Sequence, residues 1–349
     1  MNAFGQCMSR SAVCLAAAAV AGCGSGVNNA DIVTVALLGT NVTSSIKTDG
    51  KFAVITVPLD SAGHAVVGDG LKVVVNLSSL TDDVLETTCT VPTAAEPLSV
   101  GVIIDDTGSM STNDPANQTM GSRLVTGREK AVNLFADTVG AKDRVLLTEY
   151  GRKVGQTPLT DLVCLKANPG SPCVPTPDGF TSDAAKLKEA ATLIANPGGS
   201  TPLYEACAQM VSVMKDLKGV RPAILILSDG GPNTSATATT CISAATSAQI
   251  PVYAVGLGNA AEGSPTQSTT AVKALRDITA ETNGAYASSL DNSALTGMFQ
   301  IMGTALSQGS CRSTVKINEF STLTVGRTVT GEVVVGSKGA KAALSFVVP

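Results

Sequence analysis

An apolar run that ends in a loop of oxygen-bearing side chains constrains the fold of this chain more than any other feature. Residues 98–104 read Leu-Ser-Val-Gly-Val-Ile-Ile, a run typical of a strand that is covered on both faces of a parallel sheet. Asp105, Thr107 and Ser109 follow at every second position, with Gly108 letting the backbone curl. Their oxygens can converge on one point, which suits Mg2+, Mn2+ or Ca2+. These are also favoured turn residues, so the loop alone could be a simple turn.

Strand and helix patterns alternate over residues 98–308. Between the helices lie apolar strand candidates at residues 144–150, 223–227, 252–257 and 285–288. The helix candidates cover residues 123–139, 182–195, 202–217, 236–248, 271–281 and 293–307, and in the third of these apolar residues recur at three- and four-residue steps. Strands joined through helices need crossover connections, so we predict an α/β fold with a doubly wound, mostly parallel sheet.

Two further loops place oxygen ligands at the edge where strands of such a sheet end. Residues 224–231 form an apolar strand that ends in Asp229, and Thr201 precedes Pro202 at the start of a helix. Thr201 can also be read as a simple helix cap. Because ligands of open α/β sheets bind beyond the carboxyl ends of the strands, we expect the three loops to meet there. The candidate metal ligands are Asp105, Thr107, Ser109, Thr201 and Asp229.

The three loops resemble those of the von Willebrand factor A domain and its metal-ion-dependent adhesion site. The resemblance covers about residues 98–308 and rests on Ile-Asp-Asp-Thr-Gly-Ser-Met, Gly-Gly-Ser-Thr-Pro-Leu-Tyr-Glu-Ala and Leu-Ser-Asp-Gly, in that order. Thr107 stands where the family usually has serine, and it keeps the hydroxyl oxygen. The resemblance implies a Rossmann-like fold whose five candidate residues hold Mg2+, or Mn2+ or Ca2+.

A site of this kind favours recruitment of a partner over catalysis. Two carboxylates and three hydroxyls leave a coordination position open, and only two formal negative charges face the ion. The site resembles those that bind an Asp or Glu side chain of a protein partner, in adhesion or envelope assembly. A hydrolase would need a general base, a second metal or an activated nucleophile, and strand alternation turns Asp106 away from the ion. We therefore predict that the protein is not an enzyme, with a metal-assisted hydrolase and a structural module with an unused metal site as alternatives.

The composition argues against nucleic acid as a partner. The net charge is -4, aromatic residues make up 3% of the chain and tryptophan is absent, whereas nucleic-acid binders need basic stripes and stacking aromatics. His64 is the only histidine and lies in a predicted surface turn. Histidine-assisted catalysis therefore lacks its usual group.

The segments on either side of the α/β region have a strand pattern. Residues 31–91 contain strand candidates separated by turn residues, which predicts a small antiparallel sandwich. Residues 57–68 resemble the hairpin of bacterial immunoglobulin-like repeats. Residues 313–349 return to short strands, one of them at 323–325, and are too few for a core of their own. We expect them to complete the sandwich around an inserted 98–308 domain, and a separate C-terminal hairpin is the alternative.

The N-terminal sequence is typical of a targeting segment. Residues 1–22 combine Arg10 with an apolar core at 13–21 that is too short to span a bilayer. Val20-Ala21-Gly22-Cys23 resembles the bacterial lipoprotein cleavage box, which implies that Cys23 is lipidated and that residues 23–30 form a tether. An ordinary secretory signal with an incidental cysteine is the alternative. The lipoprotein interpretation predicts a cell-envelope location, at the outer membrane or cell surface, with membrane contact through the lipid only.

Six cysteines remain outside the N-terminal segment, an even number that suits an oxidising compartment. None has C-x-x-C spacing, so zinc is poorly supported. Two of them bracket a loop, two flank the inserted domain, and two lie on the helices after Thr201 and Asp229; this last pair could instead be free buried thiols. The predicted disulfides are Cys164 with Cys173, Cys89 with Cys311, and Cys207 with Cys241.

Overall fold

The computed structural model describes residues 27–91, 96–151, 158–194, 198–290 and 292–349. The predicted targeting segment and the lipidation candidate Cys23 lie outside these residues. Among the described residues, no helix combines the length and the apolarity that crossing a membrane requires.

The elements follow one another along the chain as two β-rich stretches around an α/β stretch. The strands are β1 (Thr34–Asn41), β2 (Lys51–Leu59), β3 (Val73–Leu77), β4 (Asp82–Thr90), β5 (Leu98–Asp105), β6 (Gln118–Met120), β7 (Arg123–Val125), β8 (Arg144–Tyr150), β9 (Thr160–Asp161), β10 (Arg221–Ser228), β11 (Val252–Leu257), β12 (Tyr286–Ser289), β13 (Ser310–Ile317), β14 (Thr328–Val335) and β15 (Ala340–Val347). The helices are α1 (Ile46–Asp49), α2 (Met110–Asn113), α3 (Gly127–Thr138), α4 (Leu162–Ala167), α5 (Ala184–Ala191), α6 (Leu203–Met214), α7 (Ala238–Ser247), α8 (Thr269–Glu281) and α9 (Asn292–Gln308).

The α/β part has the predicted doubly wound sheet. Its strands lie in the order β12-β11-β10-β5-β8-β9, and all neighbours run parallel except β9 at the edge. Numbered along the chain, this order is 3-2-1-4-5-6 read from β9, the arrangement of doubly wound sheets. Helices α3, α4, α5 and α9 pack on one face and α6, α7 and α8 on the other. Every residue of β5 is buried, in agreement with the apolar run over residues 100–104.

The flanking β segments form a double layer, but one of its layers is not separate from the α/β part. Strands β1, β2, β4 and β13 continue the same sheet beyond β12, while β3, β14 and β15 form a three-stranded sheet packed against it. The Phe52 and Phe346 rings meet between the layers, 4.8 Å apart. N- and C-terminal segments thus share one core. The sheet is shared because β2 is apolar on both faces, and its Ala53, Ile55 and Val57 pack into the core of the α/β part.

Two local predictions differ from the structure, and strand β4 was not predicted. Residues 123–125 are a strand and not the start of a helix, because α3 begins at Gly127, where the Thr126 hydroxyl accepts a hydrogen bond from the Glu129 amide at 3.0 Å. Residues 323–325 are not a strand, and β14 begins only at Thr328. Strand β4 lacked an apolar signal because it is a half-exposed edge strand with a largely polar sequence.

Three disulfides cross-link the described residues, and they are the three pairs that cysteine position predicts. Cys89 of β4 is bonded to Cys311 of β13, with Cα atoms 4.0 Å apart. Cys164 and Cys173 close a local loop, and Cys207 of α6 is bonded to Cys241 of α7. The last bridge joins the helices that follow two of the predicted ligand loops.

Candidate metal centre

The candidate site lies where the strand order of the α/β sheet reverses. Strands β5 and β10 are parallel neighbours, and Ile104 pairs with Leu227. Asp105 ends β5 and Asp229 follows the last residue of β10, so both carboxylates emerge at the same edge. This reversal is the place where open α/β sheets leave a crevice for ligands.

Four of the five predicted ligands form a continuous chain of oxygen atoms. The Thr107 hydroxyl donates to Asp105 Oδ1 at 2.6 Å and lies 3.3 Å from Ser109 Oγ, which in turn donates to Asp229 Oδ1 at 2.9 Å. Neighbouring oxygens around an octahedral ion with Mg–O bonds of 2.0–2.1 Å would be separated by about 3 Å. The oxygen spacing therefore fits a small hexacoordinate cation.

Thr201 is buried on the adjacent loop, and its described contacts are made by its backbone. Its amide donates to Asn233 Oδ1 at 2.7 Å, and its carbonyl oxygen accepts from the Asn233 amide at 3.3 Å. These bonds tie the Thr201 loop to the loop that follows Asp229. The alternative role of Thr201 as a helix cap is not seen, because Pro202 occupies the N-cap of α6 and no side chain caps that helix.

Two hydroxyl groups that the sequence analysis missed orient Asp105. Ser228 Oγ donates to Asp105 Oδ2 at 2.6 Å, and the Tyr150 hydroxyl donates to the same oxygen at 3.0 Å. Burial, and after it the nearby charge of Asp105, raises the pKa of Tyr150 well above its ordinary value, so its hydroxyl remains a donor. Both residues stand at strand ends of the same edge, which is the signal that could have found them.

Asn113 orients the second carboxylate. Its side-chain amide donates to Asp229 Oδ2 at 2.7 Å, opposite the bond from Ser109. Burial, and then the charge of Asp105, raises the pKa of Asp229 from 3.8 to about 6, while the bonds from Asn113 and Ser109 act in the opposite direction. Two buried carboxylates of the same charge thus lie close together.

A fully buried arginine, Arg128, holds the loop of residues 105–109, the first ligand loop, through hydrogen bonds and ion pairs. Arg128 Nη1 donates to Asp106 Oδ1 at 2.8 Å and also to the carbonyl oxygen of Asp105, and Arg128 Nε donates to Asp114 Oδ2 at 2.7 Å. The exposed fraction of Arg128 is 1%. Asp106 is therefore paired with Arg128 and points away from the chain of ligand oxygens, as strand alternation predicts.

The donor set consists of hard oxygens. Within the described residues, no three His, Cys, Asp or Glu side chains are grouped so that they could hold a metal. The candidate centre has only two carboxylates, and its remaining donors are hydroxyls, a mixture that suits Mg2+, Mn2+ or Ca2+ more than a soft metal. His64 belongs to an exposed turn beside Asp60.

The fold and the site together define a doubly wound α/β protein with an oxygen-lined crevice at its switch point. No family model and no curated protein matches the chain, but several solved structures of the von Willebrand factor A type are similar in fold. A von Willebrand factor type A protein from Catenulispora acidiphila is 13% identical with a TM-score of 0.43, and the match covers 91% of this chain and 74% of that one.

Two other solved structures cover less of this chain. Proximal thread matrix protein 1 from the mussel byssus, with a zinc-occupied MIDAS motif, is 14% identical with a TM-score of 0.45 over 66% of this chain and 50% of that one. The conserved hypothetical protein BatB from Bacteroides thetaiotaomicron is 20% identical with a TM-score of 0.37 over 59% and 97%. This chain thus spans about half the length of the mussel protein.

Proposed function

We propose that the protein holds a divalent cation at the switch point of its sheet and binds a protein partner through that ion. The chain of oxygens from Asp105 through Thr107 and Ser109 to Asp229 is the observation that carries this proposal. Thr201, on the loop bonded to the Asp229 loop, is the fifth proposed ligand. A bound cation would supply a positive, Lewis-acidic centre with a preference for oxygen.

The proposed partner group is a carboxylate from an Asp or Glu side chain. Two ligand carboxylates leave a divalent ion without an excess of negative charge, so an acidic side chain of another protein can complete its coordination. We propose binding and not catalysis, because the carboxylate nearest in sequence, Asp106, is paired with Arg128 and is therefore unsuited to act as a general base. The role that follows is adhesion or assembly in the cell envelope.

Calorimetry of Mg2+ and Mn2+ binding tests the metal site. We expect the wild-type protein to bind one ion and the Asp105→Ala variant to lose that binding. Asp69→Ala removes an exposed carboxylate far from the site in sequence and is the matched control, with binding unchanged. Equal uptake by wild type and Asp105→Ala would refute the proposed ligand set.

Capture of a partner from envelope extract tests the binding role. We expect a protein retained by the wild type in Mg2+ to be released by chelator and to be absent with Asp105→Ala. Blocking the carboxylates of the extract by amidation should abolish capture, because the ion would lack an acidic ligand. Retention that survives both chelator and amidation contradicts the proposal.

We propose that a lipid on Cys23 anchors the protein to the envelope. Several acyl chains, at about 0.8 kcal/mol per buried methylene, hold more firmly than one. The wild type should enter the detergent phase, whereas Cys23→Ser should remain in the aqueous phase. Equal partitioning of the two proteins would contradict lipidation.

A further inference from the structure

The ten-stranded sheet contains a seam at which two neighbouring strands separate. Strands β1 and β12 share one residue pair, Thr40 with Tyr286, whereas β12 pairs with β11 over four residues. On the Leu37 side of Gly39 the two strands form no further residue pair, and a cavity of about 540 Å³ opens there. This volume lies within the range of about 300–1,000 Å³ that ligand sites occupy.

A β-bulge and a glycine explain the shape of the seam. The register of β1 against β2 shifts between Leu37 and Gly39, and such a bulge bends a strand and increases its twist. At Gly39 the strands touch, because a Cβ atom there would lie 2.1 Å from the Tyr286 carbonyl oxygen. The seam is therefore closed at Gly39 and open on the bulged side.

The cavity exposes strand edges and not only strand faces. Its wall includes the consecutive residues 37–40 of β1 and 286–288 of β12, and consecutive strand residues point to opposite faces. The Ala254 amide of β11 bonds to the carbonyl of Ala285. Alternate residues of a strand bond to the same neighbour in a parallel ladder, so the backbone N–H and C=O groups of Ala287 point toward β11. Those of Ser288 point away from β11, toward the cavity.

The two walls beyond the strand edges differ in polarity. On the helical side lie Met298 and, at the rim, Leu290, whereas the wall from the three-stranded sheet is mixed: it consists of the hydroxyl-bearing residues Thr328 and Ser345 and the apolar residues Ala343 and Val347. The charges at the rim neutralise each other, because Glu262 forms a buried ion pair with Arg276. Arg276 Nη1 also donates to the Val347 carbonyl oxygen at 2.9 Å, which fixes the end of β15 there.

We propose that this cavity receives an uncharged extended segment of another polypeptide, which enters the sheet as a strand between β1 and β12. Main-chain hydrogen bonds to a strand edge would supply affinity, and the two walls would select side chains that alternate between apolar and hydroxyl-bearing. This site is separate from the proposed metal centre and needs no cation.

Sequence and chain length argue against the N-terminal segment of this chain as the occupant of the cavity. Residues 1–26 contain no alternating stretch of that kind, and the proposed processing leaves only residues 23–26 ahead of Val27. The Asn29 carbonyl oxygen accepts a hydrogen bond from Ser337, at the turn end of the β14–β15 hairpin. The cavity borders the opposite end of this hairpin, at Thr328, and the eight residues of β14 separate the two ends by about 25 Å. The four residues 23–26 span at most about 14 Å, so they are too short to reach the cavity.

Labelled synthetic peptides test the proposal by fluorescence anisotropy. The probes are short capped peptides that alternate valine, leucine, isoleucine or phenylalanine with threonine, with lysines added outside the alternating stretch for solubility. We expect saturable binding by at least one peptide, and a loss of about tenfold or more when its central residue is replaced by proline, because proline removes a main-chain donor.

Variants of the protein locate the binding. Ala343 is exposed and lines the cavity, so Ala343→Trp should fill the cavity and abolish peptide binding. Thr330→Trp places the same ring on an exposed position of the same small sheet outside the cavity lining and should bind as the wild type does. Asp105→Ala should also bind normally, which separates this result from a failure of the metal proposal. Absence of binding by every peptide, or equal binding by Ala343→Trp, would overturn the assignment.

Discussion

Arg128 shows how a single residue fixes the first ligand loop. It pairs with Asp106 and Asp114, and all three side chains are almost fully buried. The Asp114 carboxylate also accepts the Gly127 and Arg128 amides, so the same group caps α3. The loop that presents Asp105, the helix start and the ion pairs are therefore one hydrogen-bonded unit.

Replacing Arg128 with Gln should destabilise the protein strongly. The change leaves two buried carboxylates without a counter-charge, and breaking a buried pair costs roughly 3–5 kcal/mol. Urea denaturation measures the loss in the free energy of unfolding. Lys188→Gln breaks an exposed pair with Asp137 and should change stability by no more than about 1 kcal/mol. Similar effects of the two substitutions would show that Arg128 is not structurally important.

Asn113 should tune metal affinity without being a ligand. Groups that orient a ligand typically change metal affinity by about 10–100-fold when they are removed, so Asn113→Ala should weaken Mg2+ binding by that order in calorimetry. Thr112→Ala, at an exposed position of the same short helix, should leave affinity unchanged. Unchanged affinity in Asn113→Ala would show that the bond to Asp229 is dispensable.

Helices α6 and α7 link a disulfide bridge to the candidate site. The Cys207–Cys241 bridge joins them, and both cysteines are fully buried. The loops that precede these helices are bonded through Asn233, and the Thr234 hydroxyl donates to Glu205 of α6 at 2.9 Å. The bridge thus holds the Thr201 and Asp229 loops in one relative position.

Removing this bridge should weaken metal binding as well as stability. In the chain-entropy model, a separation of 34 residues corresponds to about 4 kcal/mol and a separation of 9 residues to about 2.5 kcal/mol. Because this bridge positions the Thr201 and Asp229 loops, calorimetry of the double variant Cys207→Ala/Cys241→Ala should also show weaker Mg2+ binding. The control Cys164→Ala/Cys173→Ala should lose stability only. Equal metal affinity in both variants would contradict the positioning role.

At the scale of elements, the predictable features were the strands and helices that a hydrophobic period defines and the loops that turn residues define. The buried runs of β5 and β10, the helices between strands and the loops at strand ends are local signals, and they define both the α/β order and four of the oxygens that meet. Tyr150 and Ser228 also lie at strand ends, but their bonds to Asp105, like the bond from Asn113 to Asp229, depend on tertiary contacts that no local pattern specifies. Strand β4 escaped prediction because its edge position removes the need for an apolar face.

At the scale of the whole molecule, the main surprise is that one sheet serves two cores. Strand β2 has no polar face, so it can pack on the three-stranded sheet on one side and on α/β elements on the other. Sequence patterns did not predict this continuity, because pairing between β1 and β12 joins residues more than 240 positions apart.

The Cys89–Cys311 bridge should contribute the largest share of cross-link stability. It closes a separation of 222 residues, for which the chain-entropy model gives about 5 kcal/mol. Denaturation of Cys89→Ala/Cys311→Ala should show a larger loss than either of the other double variants. A smaller loss than for Cys164→Ala/Cys173→Ala would contradict this order.

The narrow seam between β1 and β12 also determines how the molecule would carry a mechanical load. A pull between the Asp105 edge and the N-terminal strands loads the sheet where β1 and β12 share one residue pair, and it also loads the packing of β2 on the α/β core. The Cys89–Cys311 bridge lies beyond that point and reinforces only the β layer. In a single-molecule experiment with handles on exposed residues of the two parts, we expect the first rupture at this seam, before the strands within either part separate from one another.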